Sequence, residues 1–399
     1  MADQVRLALV GCGGIALAHV KGYQNLHEHG YDRALITAVC DTNNENALKV
    51  ADLIQQQFGS RPGVYSTVEE LLEREEVDGA DICLPHAFHH TGAISCLERG
   101  VNVMVEKPVG ITVRATRLMM QVAEKSGAMI AAAEQIRRCM GPRAIEWAIN
   151  DQKMIGTPRF FTMEVFGVQP FNWQEYRMAW RGVKLLGGGG QILDGGAHFT
   201  DMMLYVFGPV REVVCEMRTF EPEDVDAPGL GKTHVDVEDY WTAILRFESG
   251  LVGHWAWSRL GYGHDVVSGV YYGDQGSFKD RQKWMHAFQF GADLTRKDGT
   301  ELPWEEIEKL YLDQLDEETR NRLFPYGLTD GISNECWDFV EAIAEGREPE
   351  IDAAKALKAK SLCFALYESA TCGGPVKVAD VETGKVDAYQ RPINEHWGI

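Results

Sequence analysis

The sequence predicts an α/β chain of two domains, a doubly wound parallel sheet over residues 1–135 and an antiparallel sheet with helices over residues 136–399. Three observations carry this reading. A chain of 399 residues exceeds what one hydrophobic core usually serves. From residue 5 to about 133, short β-branched runs alternate with helical stretches, the order that produces parallel strands joined by crossover helices. Beyond about residue 136 the texture changes to longer strands such as PRFFTMEVFGVQ, DYWTAILRF and LVGHWAWS.

In the first domain the strands are VRLALV, ALITAV, ADICLP, VNVMVE and AMIAAA, with helices expected near 14–29, 44–58, 89–99 and 113–126. Thr67 and Glu70 have capping-box spacing, and Gly100 and Gly127 stand where helices should end. In the second domain Trp241, Ala243, Leu245 and Phe247 alternate with Thr242, Ile244 and Arg246, the period of a sheet with one face more buried. Ser249-Gly250 reads as a hairpin turn. The segment QILDGGAHFTDMMLYVFG, after the glycine run 187–190, reads as a helix of about five turns. The acidic stretch from Glu221 to Glu238 reads as irregular.

Composition narrows the function classes. With 39 Lys+Arg against 59 Asp+Glu the net charge is -20, which argues against nucleic acid and anionic membranes as partners, since both are held by basic patches. The opening MADQVRLALVGCGG lacks a basic leader and a long apolar run, so a cytoplasmic protein is expected. Nine cysteines with no CxxC spacing suit neither a disulfide framework nor a zinc site, and they read as small buried hydrophobes.

The first strand runs into Gly11-Cys12-Gly13-Gly14-Ile15-Ala16. Gly11 permits a tight turn, Gly13 lets a pyrophosphate approach the backbone, and Ala16 lets the helix pack on the strand. The amides of Gly14 and Ile15 open the helix, where phosphate oxygens are favoured. Asp41 ends the second strand, 25 residues beyond Ala16. Its carboxylate would accept from the adenosine ribose and repel a 2′-phosphate, and Thr42-Asn43 offers no basic side chain, so NAD is expected over NADP.

Two further sets stand out. VNVMVE ends in Glu106-Lys107-Pro108, at the strand edge where doubly wound sheets bind ligands; Lys107 is either a ligand-side lysine or a surface lysine in a tight turn. Asp194 and His198, four apart on the expected helix, share a face, as either a proton-accepting pair or a surface hydrogen bond. Trp173, Tyr176, Trp180 and Arg181 suit stacking on a sugar and gripping hydroxyls, and would equally suit a loop with buried aromatics. The segment Arg259 to His264, read as a hairpin loop, raises the same question.

Together GCGGIA, DICLPHAFHH, VEKP and LDGGAH resemble the glucose-fructose oxidoreductase/inositol dehydrogenase (Gfo/Idh/MocA) family over essentially the whole chain. The resemblance implies a Rossmann domain, a second α/β domain with a large, mainly antiparallel open sheet, and a homodimer or homotetramer. It implies that Leu84, Pro85, His86, His89, Glu106 and Lys107 border the cofactor, although His86 stands where the family usually has asparagine. Lys107, Asp194 and His198 become the expected catalytic trio, with Trp173, Tyr176, Arg181 and His264 as substrate-side candidates.

Three functions follow from that resemblance. The first is NAD-dependent oxidation of a ring secondary alcohol of a sugar, sugar derivative or cyclitol, with His198 taking the hydroxyl proton and Lys107 steadying the oxygen. The second is redox-neutral cleavage of a glycoside through transient C3 oxidation and elimination, which needs a further acid/base from Tyr176, His264 or His86. The third is a regulator that binds NAD without turnover, against which the intact trio argues. No metal is expected, since His86, His89 and His90 cluster without a convincing set of further ligands.

Overall fold

The computed structural model describes residues 4–169, 171–281 and 286–399. The chain divides into two compact units, Met1–Arg138 with Glu318–Ala356, and Cys139–Glu317 with Leu357–Ile399. The expected contiguous division at 135/136 therefore needs correcting, because a late segment returns to the first unit. Its helix Gly331–Glu345 packs on the first helix at Gly22, where a Cβ would lie 2.9 Å from Ile332 Cγ2 and 3.3 Å from Cys336 Sγ.

The first unit is built on β1 (Val5–Val10), β2 (Ala34–Cys40), β3 (Gly63–Tyr65), β4 (Gly79–Ile82), β5 (Asn102–Glu106) and β6 (Ile130–Ala133). They form a parallel sheet of order β3-β2-β1-β4-β5-β6, with helices Gly14–Glu28, Asn44–Phe58, Val68–Arg74, His89–Leu97 and Val113–Ser126 as crossovers. Burial on both sheet faces explains the unbroken apolar runs: Leu7, Leu9 and Val39 face one cluster, Ala8, Val10 and Val105 the other. Gly100 and Gly127 both adopt φ near +74° at helix ends, as expected. Strand order reverses between β1 and β4, the crevice where this class of sheet binds ligands.

The second unit carries β7 (Pro158–Phe166), β8 (Val210–Arg218), β9 (Asp224–Ala227), β10 (Gly231–His234), β11 (Tyr240–Phe247), β12 (Val252–Ser258), β13 (Val266–Gly273), β14 (Gly276–Asp280), β15 (Ala292–Arg296), β16 (Glu301–Leu302) and β17 (Val376–Lys377). Nine of them form one sheet of order β16-β15-β14-β13-β7-β12-β11-β8-β17, antiparallel except for β12 beside β7. One face is apolar and covered. Trp241 stacks on Trp257 at 4.8 Å, and Trp255 lies 4.4 Å from Phe199 of the helix Gly196–Phe207.

The alternation from Trp241 to Phe247 and the hairpin at Ser249-Gly250 are both present, with Gly250 at φ +91°. Three expectations are corrected. The acidic stretch is not wholly irregular, because β9 and β10 pair as a small hairpin inside it. Arg259 to His264 is not a hairpin loop: β12 and β13 flank β7, so the segment crosses the end of β7, where Gly261 N donates to Gly167 O. The helix near 191–208 is shorter than five turns and starts at Gly196. A Cβ on Gly196 would lie 2.7 Å from Trp255 Cη2, so that glycine serves helix-to-sheet packing.

Candidate active site

The glycine turn at the carboxyl end of β1 has the geometry of a phosphate cradle. Gly11 adopts φ +90°, and a Cβ there would sit 2.4 Å from Cys83 O, so both conformation and space require glycine. Gly13 and Gly14 are exposed, and a Cβ on either would meet nothing within 4 Å. Gly13 caps the helix Gly14–Glu28 without a side-chain acceptor, and the first turn holds no acid. The amides around Gly14 and Ile15 thus present uncompensated positive partial charge to open space, which fits a pyrophosphate.

Asp41 fits the same ligand. Its Oδ2 accepts from Cys12 N at 2.8 Å and its Oδ1 from Asn43 N at 2.7 Å, which fixes the carboxylate at the rim of the turn. Each oxygen keeps a lone pair for a ribose hydroxyl.

At the end of β5, Glu106 is buried and accepts from Lys107 N at 2.9 Å. Lys107 is half-buried and joined to Pro108 by a cis bond. His89 lies between two carbonyls, Nδ1 at 2.9 Å from Pro108 O and Nε2 at 2.6 Å from Leu84 O. It ties the segment after β4 to the Lys107-Pro108 turn, a bracing role distinct from the cofactor contact expected of it. His86 is buried edge-on to His89 at 5.6 Å, leaving the half-exposed Leu84 and Pro85 as the open part of that segment.

In the second unit the four-glycine run is shaped by what lies against it. A Cβ on Gly189 would fall 2.4 Å from the Tyr367 hydroxyl, and one on Gly190 would fall 2.7 Å from Glu238 Oε2. Buried Glu238 accepts from Gly190 N at 3.1 Å, from Ile192 N at 2.7 Å and from the Tyr367 hydroxyl at 2.9 Å. Burial pushes its carboxyl up to about 7 against those three donors. This turn delivers Asp194, which accepts from Arg181 Nε at 2.9 Å. Asp194 lies in the turn just before the helix Gly196–Phe207 rather than within it. His198 stands in the helix's first turn, buried, its ring perpendicular to that of His286 at 4.9 Å.

The aromatic candidates divide. Trp173 is buried, its indole donating to Glu223 Oε1 at 3.2 Å and its ring packed against Gly182, so it is core and no sugar platform. Trp180 is also buried, with the Arg181 guanidinium 4.1 Å from its centroid. Tyr176, at 65% exposure, and His264 are open to solvent.

Residues 5–134 match the oxidoreductase family, NAD-binding Rossmann fold, and residues 148–279 match the GFO/IDH/MocA C-terminal domain, together about two thirds of the chain. The chain belongs to the Gfo/Idh/MocA family. Its first unit is accordingly an NAD-binding Rossmann domain. Among curated relatives, D-apiose dehydrogenase of Paraburkholderia graminis is 25% identical over 250 residues, 61% of this chain and 58% of that protein. D-glucoside 3-dehydrogenase of Escherichia coli is 26% identical over 209 residues, 51% of this chain and 54% of that protein. The chain thus spans little more than half the length of these two relatives. A glycosyl hydrolase family 109 protein of Shewanella baltica is 30% identical over 128 residues, 31% of this chain and 27% of that protein. Solved structures share the fold. The WlbA dehydrogenase from Bordetella pertussis, in complex with NADH and UDP-GlcNAcA, superposes with a TM-score of 0.73 at 24% identity, over 94% of this chain and 98% of that one. Levoglucosan dehydrogenase, in complex with NADH and levoglucosan, gives 0.74 at 20% identity, over 94% and 99%.

This member of the Gfo/Idh/MocA family also holds polar residues that sequence reading passed over. His19 lies wholly buried on the Rossmann helix, with Nδ1 2.9 Å from Asp81 Oδ2 and Nε2 3.2 Å from Glu106 Oε1. One signal was present: Asp81 interrupts a strand otherwise read as buried, and a buried acid requires a partner. Glu238 had no such signal, since it ends an acidic stretch.

Proposed function

We propose that the chain is an NAD-dependent dehydrogenase oxidising a ring secondary alcohol of a sugar, sugar derivative or cyclitol. The carrying observation is the glycine turn open at Gly13 and Gly14, with Asp41 fixed at its rim by two backbone amides, in a chain whose family is an oxidoreductase one. The relatives' names, D-apiose dehydrogenase and D-glucoside 3-dehydrogenase, support the substrate class. Bound NAD supplies the hydride acceptor. Gly11, Gly13, Gly14, Ile15 and Asp41 hold the dinucleotide, with Leu84 and Pro85 bordering it. Lys107 holds the reacting oxygen and steadies the charge that develops there, and His198 takes the hydroxyl proton. Asp194 fixes Arg181 for substrate hydroxyls or acids.

Redox-neutral glycoside cleavage is the second reading, favoured by the family 109 relative. A panel of sugars, cyclitols and nitrophenyl glycosides, followed for both NADH and released aglycone, separates the two. Stoichiometric NADH supports the first; aglycone release without NADH replaces it with the second. Lys107→Ala should abolish turnover while NAD still binds, and near-normal turnover would sink the assignment.

We also place the protein in the cytoplasm as a homo-oligomer. Seven of the nine cysteines are buried, as small apolar side chains in a reducing compartment would be. Among the described residues no helix is long and apolar enough to cross a membrane. The outer face of the large sheet exposes Phe160, stacked on Tyr272 at 4.6 Å, with Val252 and Ile244, an apolar patch suited to a second copy. Light scattering reads the mass directly.

A further inference from the structure

We propose that His19 is a positioning residue: clamped as an imidazolium between Asp81 and Glu106, it ties the phosphate-binding helix to the Lys107 turn. The link to Lys107's role rests on the dehydrogenase reading. The link to charge and geometry does not.

The tie joins one helix to two neighbouring strands. From the helix Gly14–Glu28, His19 Nδ1 lies 3.0 and 2.9 Å from the two oxygens of Asp81 on β4. Its Nε2 lies 3.2 Å from Glu106 Oε1 at the end of β5. Glu106 Oε2 accepts from Lys107 N at 2.9 Å. The Tyr23 hydroxyl, one turn further along the helix, donates to Asp81 Oδ2 at 3.2 Å. The helix whose amides face the pyrophosphate is therefore fastened by one ring to the backbone that carries the proposed reactive lysine.

The protonation state follows from the partners. An ionised carboxylate only accepts, and a neutral imidazole has a single N–H, so a neutral ring would set one lone pair against a carboxylate. Two protons on the ring satisfy both contacts. Burial is the largest single effect and lowers the His19 pKa, but the charge and hydrogen bonds of Asp81, together with the contribution of Cys83, outweigh it and raise the value well above the usual one. Burial is likewise the largest effect on Glu106 and opposes its ionisation, but the hydrogen bond and charge of His19, with Lys107 and His89 adding to them, hold that carboxyl below its usual range.

Burial opposes ionisation of the remaining groups facing the ring. Glu335, on the helix Gly331–Glu345, is wholly buried 3.7 Å from His19 Nε2, and neither carboxyl oxygen has a hydrogen-bond partner among the described residues. Burial pushes it well above the usual carboxylate range, and the Glu106 charge adds to the effect. The thiols of Cys83 and Cys336 are also pushed up by burial. One cation thus serves two anions, beside a third acid whose ionisation burial opposes. Buried ion pairs seldom add net stability over apolar packing, whereas they fix orientation.

His19, Asp81 and Cys83 also bring three ligand atoms within 4.8 Å of one another, a spacing that would admit a metal ion. A protonated ring excludes that occupant, so the test separates the two. In 15N-histidine NMR of the full chain, with and without NAD, both ring nitrogens of His19 are expected to carry protons from pH 6 to 8. A single protonated nitrogen at pH 7, or stoichiometric metal in the purified protein, would overturn the imidazolium. His19→Gln is expected to bind NAD within threefold of wild type while kcat falls roughly 10- to 100-fold, the cost of misplacing a reacting group by about 1 Å. Glu106→Gln, which keeps an acceptor for Lys107 N, should lose less. An unchanged kcat in a His19→Gln protein that binds NAD would refute the positioning role. Should His19→Gln fail to fold, Glu106→Gln decides by the same split between kcat and NAD affinity. A wild-type protein that turns over none of the panel fails the dehydrogenase reading alone, since the NMR result stands apart from it.

Discussion

Glu238 offers a sharp test of how the turn before Asp194 is held. Its carboxyl is pushed up to about 7 from 4.5 by burial, although Gly190 N, Ile192 N and the Tyr367 hydroxyl all donate to it. At about 1.4 kcal/mol per pH unit, that displacement corresponds to about 3 kcal/mol. The sign is set by the raised value. Below pH 4.5 the carboxyl is neutral in both folded and unfolded chains, and its contribution is complete. As pH rises toward 7 the unfolded chain ionises freely while the folded one resists, so stability falls. Above about 7 both are ionised and the loss is finished. Glu238→Gln keeps an oxygen for only one of the two amides, a cost that does not vary with pH, and removes the titration. Urea unfolding followed through tryptophan fluorescence, at pH 4.5, 6 and 8, should show the wild type losing about 3 kcal/mol more than the variant across that range. Parallel pH profiles for the two proteins would refute the assignment of a neutral buried carboxyl.

Two other substitutions test separate steps. Asp41→Asn can accept from only one of the amides of Cys12 and Asn43, so NAD affinity should fall about tenfold, as for one lost charged hydrogen bond, and discrimination against NADP should shrink; calorimetry with both nucleotides reads this, and an unchanged ratio counts against Asp41 as the ribose acceptor. Gly196→Ala places a methyl 2.7 Å from Trp255 Cη2 and should destabilise the second unit by roughly 1–3 kcal/mol through overpacking, read as a lowered urea midpoint.

The parallel sheet was legible because its strands are buried on both faces and punctuated by glycines, so local sequence alone specifies them. The glycine turn and Asp41 were legible for the same reason, since their chemistry lies in adjoining elements. What remained hidden depends on partners distant in sequence. GISNECWDFVEAIAE announces a helix but not its dock; the notch at Gly22 that receives Ile332 and Cys336 lies some 310 residues earlier. His19 looks like any helical histidine until Asp81 and Glu106 are placed against it. The overlong helix before Gly208 has a related cause: the apolar period runs smoothly into QILDGG, and only the pull of Glu238 on Gly190 and Ile192 shows that the chain turns there.

Burial also sorts the acid/base candidates of the glycoside-cleaving reading. His86 is packed edge-on against His89. Tyr176 and His264 keep their polar ends open. If aglycone is released without NADH, Tyr176→Phe and His264→Gln are the first variants to make, because both side chains stand open to solvent.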